Sequence, residues 1–174
     1  MAASSEMVRI ALKLRPDQAT LVPERENEIT TEGGLNVAAN SGLITSAVRE
    51  LTAGGIQVSL FIDPDSDQVD ASADLGVPMI ELNTRAYSES CPKSPDLAGH
   101  GLERELTKIV QASERGKKKG MKILAGHGLT YRNVRLISGI PEIEELNIGH
   151  NIIARAVLVG MERAVREMLQ AMNY

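Results

Sequence analysis

An α/β protein built on a parallel sheet is the fold class this sequence predicts, and three observations predict it. Short apolar, β-branched runs alternate with helix-period stretches five times along the chain. Apolar residues make up 43% of the sequence but aromatics only 2%, so the core must come from Ala, Val, Ile and Leu, as where helices pack on parallel strands. Polar residues with functional chemistry fall just after the apolar runs, at the strand ends where such folds collect ligands.

The elements follow in order. Ser5 can cap a helix reaching about Leu14, with Met7, Ile10, Ala11 and Leu14 on one face. Residues 18–22 form a short strand closed by Pro23, and the polar run Thr30-Thr31-Glu32-Gly33-Gly34 is a loop. Leu43, Ile44, Ala47, Val48 and Leu51 recur at three- and four-residue steps in a helix over 41–51, ended by Gly54-Gly55. Residues 56–62 are the clearest strand. Asp63-Pro64-Asp65 begins a short helix ending at Gly76, and 79–82 is the next strand.

Residues 83–99, with Pro92 and Pro95, read as a long loop, and His100 as a surface loop residue. A helix over 102–118 finishes in Lys117-Lys118-Lys119-Gly120, cations at a helix C-terminus before a glycine cap rather than a nucleic-acid motif. Residues 121–125 form a strand, 130–138 a short helix and 145–148 the last strand. A single final helix from about Asn151 carries Ile153, Val157, Met161, Val165, Met168 and Met172 as a buried stripe.

Composition narrows the function classes. A net charge of -4 gives no global attraction to nucleic acid or to an anionic membrane. No apolar run approaches the roughly 18 residues of a membrane-spanning helix, and Met1 to Glu6 lacks the basic stretch and apolar core of a secretory signal. Cys91 stands alone, so no intrachain disulfide framework exists, which fits a cytoplasmic location.

Repeated strand–helix units leave two architectures open: a doubly wound open sheet, or part of a (β/α)8 barrel. Length favours the open sheet, since complete barrels run to about 250 residues. In both, the turns Gly126-His127-Gly128 and Gly149-His150-Asn151 lie beyond the C-terminal ends of the last two strands. Glycine lets backbone amides approach a ligand, and a helix N-terminus attracts phosphate. Glu81 lies within an apolar strand, where an isolated carboxylate is costly, so it needs a partner or a polar cavity. Alternation puts Met79, Glu81 and Asn83 on one face. His127, His150 and Glu81 could also form a two-histidine, one-carboxylate site for a divalent metal.

Five segments in one order carry a resemblance over essentially the whole chain. Residues 21–24 (LVPE), 30–35 (TTEGGL), 55–63 (GIQVSLFID), 125–130 (AGHGLT) and 145–150 (ELNIGH) are similar to the pyridoxine 5′-phosphate synthase family. The resemblance implies a TIM-type barrel in a homo-oligomer, a transferase of vitamin B6 biosynthesis. It would condense 3-amino-2-oxopropyl phosphate with 1-deoxy-D-xylulose 5-phosphate, releasing inorganic phosphate and water with no metal or organic cofactor. It implies that His127 donates a proton and that Glu81 stabilises charge. It also implies that Gly128, Gly149 and His150 hold the aminoketone phosphate, and that Thr30 contacts the deoxyxylulose phosphate.

Departures from the resemblance are Leu124 in place of Asn, and Asn83 and Arg85 in place of His and Gly. The family pattern also has three strands before the first helix, bearing further catalytic residues, and Met1-Ala2 reads as the end of the third. The expectation is therefore a partial barrel of about five C-terminal βα units in one domain over 1–174, inactive and association-prone by itself. A phosphate-binding remnant without catalysis is the alternative.

Overall fold

A computed structural model of the chain describes residues 1–23, 33–39, 41–92 and 101–172. Thr30 and His100 lie outside the described residues. The described residues contain eight helices and five strands, each strand followed by at least one helix. They are α1 (Ser5–Leu14), β1 (Gln18–Leu21), α2 (Ser41–Ala53), β2 (Gln57–Ile62), α3 (Ser66–Asp74), β3 (Met79–Asn83) and α4 (Arg85–Ser90). The chain continues through α5 (Leu102–Lys118), β4 (Lys122–Gly126), α6 (Val134–Ser138), β5 (Ile143–Asn147), α7 (His150–Val159) and α8 (Met161–Ala171).

Every adjacent strand pair is parallel, and the strands lie in the order β1-β2-β3-β4-β5. A doubly wound sheet reverses its strand order at a switch point, whereas a barrel adds each strand beside the last. The unbroken order is consistent with an arc of a TIM-type barrel, the architecture that length alone disfavoured.

The two faces of the sheet differ. Val58, Leu60, Ile62, Ile80, Leu82, Ile123 and Ala125 point towards the helices and join the main hydrophobic core with Ile44, Leu51, Val69 and Ile109. Burying each such side chain stabilises the fold by roughly 1.5–3 kcal/mol. The other face is arranged in layers, as in barrel interiors. Thr20, Ser59, Met79 and Lys122 are in register, as are Phe61, Glu81, Leu124 and Glu145, and above them Asn83, Gly126 and Asn147. A register shift between Ile123 and Leu124 brings Glu145 opposite Leu124 and Asn147 opposite Gly126.

Four readings of the sequence need correction. The cap of α1 is Ser4, whose hydroxyl accepts from the Met7 amide at 3.4 Å, one residue before the expected Ser5. The segment after β3 is not all loop. The Asn83 carboxamide oxygen accepts from the Arg85 amide, Arg85 and Glu89 pair one turn apart, and buried Tyr87 anchors the short helix α4. Helix α6 begins at Val134 rather than Thr130. The Thr130 hydroxyl accepts from the Arg132 and Asn133 amides while the Asn133 side chain accepts from the Thr130 amide, a local turn that competes with helix.

The fourth concerns the last helix, which is two. Gly160, at φ 84° and ψ 155°, separates α7 from α8. The expected buried stripe is therefore largely exposed: Ile153, Val157, Met161 and Val165 are open to solvent, whereas Met168 is buried with Ala164. The basic run at 117–119 is the solvated helix end expected from the sequence. Lys117 pairs with Glu144, Lys118 with Glu114 and Lys119 with Asp70, and Gly120 follows at φ 83°.

Candidate active site

The C-terminal ends of all five strands border one cavity of about 470 Å³. Val22 follows β1, Phe61 lies on β2, Glu81 on β3 and Asn147 on β5, and His127 follows β4. Gly128, Leu129, Ile148, Gly149, His150 and Asn151 complete the wall. Five of the six residues singled out in the sequence (Glu81, His127, Gly128, Gly149 and His150) thus face one space, and the sixth, Thr30, falls outside the described residues.

Glu81 is 8% exposed. Burial pushes its carboxyl above the ordinary glutamate value, hydrogen bonds from the Asn147 and Thr20 side chains pull it back, and the charge of Glu145 adds to the rise. Both hydrogen-bond partners belong to the layered face, so the sheet itself supplies the partners that a carboxylate in an apolar strand requires. Gly126 lets Glu81 sit there: a Cβ on it would lie 2.6 Å from the Glu81 carboxylate oxygen and 2.8 Å from the Asn147 carbonyl.

The turn after β4 holds His127 at φ 80° and Gly128 at φ 77°. Positive φ is uncommon for a residue with a Cβ, although histidine is among those that adopt it more often. The Phe61 ring lies against the imidazole, centroids 6.3 Å apart and tilted by 57°. The Asn151 side chain donates to the Leu129 carbonyl at 2.8 Å, which ties the first turn of α7 to the His127 turn. Gly149 is the N-cap of α7 and His150 its first residue, so unpaired amides and the positive end of the helix dipole open onto the cavity. Such an arrangement is chemically able to hold an anion beside a side chain that can transfer protons.

Two departures in sequence acquire a structural role. The Asp63 carboxylate accepts from the Gly34 amide at 3.1 Å and from the Asn83 side chain at 2.8 Å, so through it Asn83 ties the ends of β2 and β3 to the backbone at Gly34. Leu124 is fully buried in the layer containing Glu81. Glu81, His127 and His150 share the cavity walls, yet among the described residues no three His, Cys, Asp or Glu side chains are grouped to hold one ion. No helix among those described is long and apolar enough to cross a membrane.

Sequence reasoning overlooked Asn147 and Phe61 as site residues. Asn147 carried a usable signal, because it is polar at the end of an apolar strand as Glu81 is. Phe61 carried none, since an apolar residue in a buried strand reads as core.

Fold and site together define a parallel α/β protein, consistent with an arc of a TIM-like barrel, with its polar groups gathered at the C-terminal strand edge. A family model described as pyridoxal phosphate biosynthesis protein PdxJ matches residues 1–174, and the chain belongs to that family. It is 49% identical over 168 residues to the pyridoxine 5′-phosphate synthase of Prochlorococcus marinus (strain MIT 9313), covering 97% of this chain and 66% of that protein. The synthase of a Synechocystis species is 54% identical over 172 residues, covering 99% of this chain and 69% of the relative. That of Geobacter sulfurreducens is 49% identical over all 174 residues and 70% of its own length. The chain thus spans about two thirds of the length of the curated relatives it matches.

Proposed function

We propose that this chain carries the aminoketone-phosphate half of a pyridoxine 5′-phosphate synthase, a transferase condensing 3-amino-2-oxopropyl phosphate with 1-deoxy-D-xylulose 5-phosphate. The observation that carries the proposal is the convergence of Glu81, His127, Gly128, Gly149 and His150 on one cavity at the C-terminal strand edge.

In this reading the α7 N-terminus, with Gly149 and His150, receives the phosphate, helped by the Gly128 amide. His127 stands beside the phosphate and gives a proton to the leaving oxygen as the ring is assembled. Glu81, in its ionised form, stabilises positive charge developing on the imine nitrogen. Thr30 serves the second substrate, deoxyxylulose phosphate. No step requires a metal or an organic cofactor.

The five βα units form a C-terminal arc of a (β/α)8 barrel, and residues 1–174 act as one domain. The working enzyme is cytoplasmic and homo-oligomeric, with small phosphorylated molecules rather than nucleic acid or membrane as its partners.

Titration with inorganic phosphate, followed calorimetrically, tests the central claim. Saturable binding with a Kd at or below roughly 10 mM is expected, weakened about tenfold by His150→Ala. No saturable binding, or binding indifferent to His150→Ala, would remove the basis for the reading.

A further inference from the structure

We infer that Thr84 is a positioning residue for His127, acting through its hydroxyl on the carbonyl of that histidine. The inference rests on the proposed proton-donating role of His127 and extends it to a group outside the cavity wall.

Thr84 is fully buried between β3 and α4. Its amide donates to the Gly126 carbonyl at 2.8 Å. Its hydroxyl oxygen lies 2.6 Å from the His127 carbonyl and 2.9 Å from that of Gly126. A hydroxyl has one proton to give. The Gly126 carbonyl also accepts from the amide, and the hydroxyl makes its shorter approach to His127.

The cost of this arrangement is visible locally. Thr84 occupies the N-cap of α4, where a threonine oxygen ordinarily accepts from an amide of the first turn, yet its side chain makes no capping bond. The hydroxyl is committed across the sheet instead.

What it holds is a backbone under strain, since His127 has φ 80°. Residues kept in sparsely populated backbone conformations persist when their surroundings over-determine them. The following peptides are held in the same way. The Asn133 side chain donates to the Gly128 carbonyl at 3.4 Å, and the Asn151 side chain to that of Leu129 at 2.8 Å. Side chains from three separate places thus fix the consecutive carbonyls of His127, Gly128 and Leu129. With the carbonyls fixed, the direction of the His127 Cα–Cβ bond is set, and so is the reach of the imidazole into the cavity. Of the three side chains, only Thr84 acts on His127 itself.

Histidine NMR on the intact chain tests this directly, because the sequence contains only three histidines, His100, His127 and His150. Signals from ring-labelled histidine are assigned with His127→Gln and His150→Gln, and followed through a pH titration. Thr84→Val, which keeps the shape and removes the hydroxyl, is expected to shift the His127 signal. Its titration midpoint should move by more than about 0.3 unit, a twofold change in proton affinity, while His150 stays in place. Thr84→Ser is expected to restore the wild-type behaviour of His127.

An unmoved His127 in Thr84→Val, or an equal displacement in Thr84→Ser, overturns the inference, the second because the methyl group would then be what matters. Should Thr84→Val not fold, Thr84→Ser decides alone: His127 unchanged supports the hydroxyl, His127 displaced rejects it. Adding inorganic phosphate to the wild-type sample separates this inference from the reading beneath it. Signals of His127 and His150 that ignore phosphate would count against the phosphate site, while the comparison of valine and serine at position 84 would still judge the role of Thr84.

Discussion

Glu81 shows how a single side chain can be both unfavourable and required. Its carboxyl is raised by burial, so the folded state holds the proton more tightly than the unfolded chain does. The resulting penalty is absent below the ordinary glutamate range and grows as pH rises through the folded value. Glu81→Gln should therefore be more stable than wild type at pH 8, with the advantage vanishing towards pH 4. Thermal melts across that range measure the difference, and an advantage that shrinks as pH rises would contradict the assignment. Gly126 is the companion residue. Gly126→Ala drives a methyl group against the Glu81 carboxylate and the Asn147 carbonyl, and overpacking of this kind costs about 1–3 kcal/mol. A lowered denaturant midpoint together with weaker phosphate binding is the expected result.

At the scale of elements, the break between α7 and α8 decides what the C-terminal segment does. Gly160 sits at φ 84° and ψ 155°, a region essentially restricted to glycine. Gly160→Ala should cost about 1–3 kcal/mol, read from chemical denaturation. The two helices are also joined by side chains, with Glu167 of α8 accepting from Arg155 of α7 at 2.7 Å and from Arg163 at 2.8 Å. The spacing of Ile153, Val157, Met161 and Val165 suggested one continuous buried face, because helical periodicity is blind to a single glycine whose backbone leaves the helix. Helix α4 was missed for the opposite reason. Six residues are too few for periodicity to register, and the Asn133 carbonyl that the Tyr87 hydroxyl bonds is a tertiary partner 46 residues away.

For the whole molecule, the sheet gathers one wall residue from each of five strand ends, which is why a function could be argued from turns scattered over 130 residues of sequence. Outside the sheet, Val157 is 81% exposed and Leu158 78%, with Leu14 and Leu43 also largely open. Val157 and Leu158 are sequence neighbours on α7, and an exposed apolar patch there would mark an association surface. Light scattering on the purified chain is expected to give a mass above that of the 18.8 kDa monomer. Replacing Val157 and Leu158 together by Glu should move that mass towards the monomer. A monomeric wild type would argue against the homo-oligomer.

The sequence by itself determined the alternation of strands and helices, the placement of Gly126-His127-Gly128 and Gly149-His150 at strand ends, and the need of Glu81 for polar company. These are local consequences of period, turn chemistry and the cost of an unpaired charge. Only the tertiary structure decided that the strands lie in sequential order, that Asn147 and Thr20 are the company Glu81 keeps, and that Thr84 holds the His127 carbonyl. Hydrogen bonds between Thr84 and residues more than forty positions away follow from parallel register, a property of strand pairs that no single segment encodes.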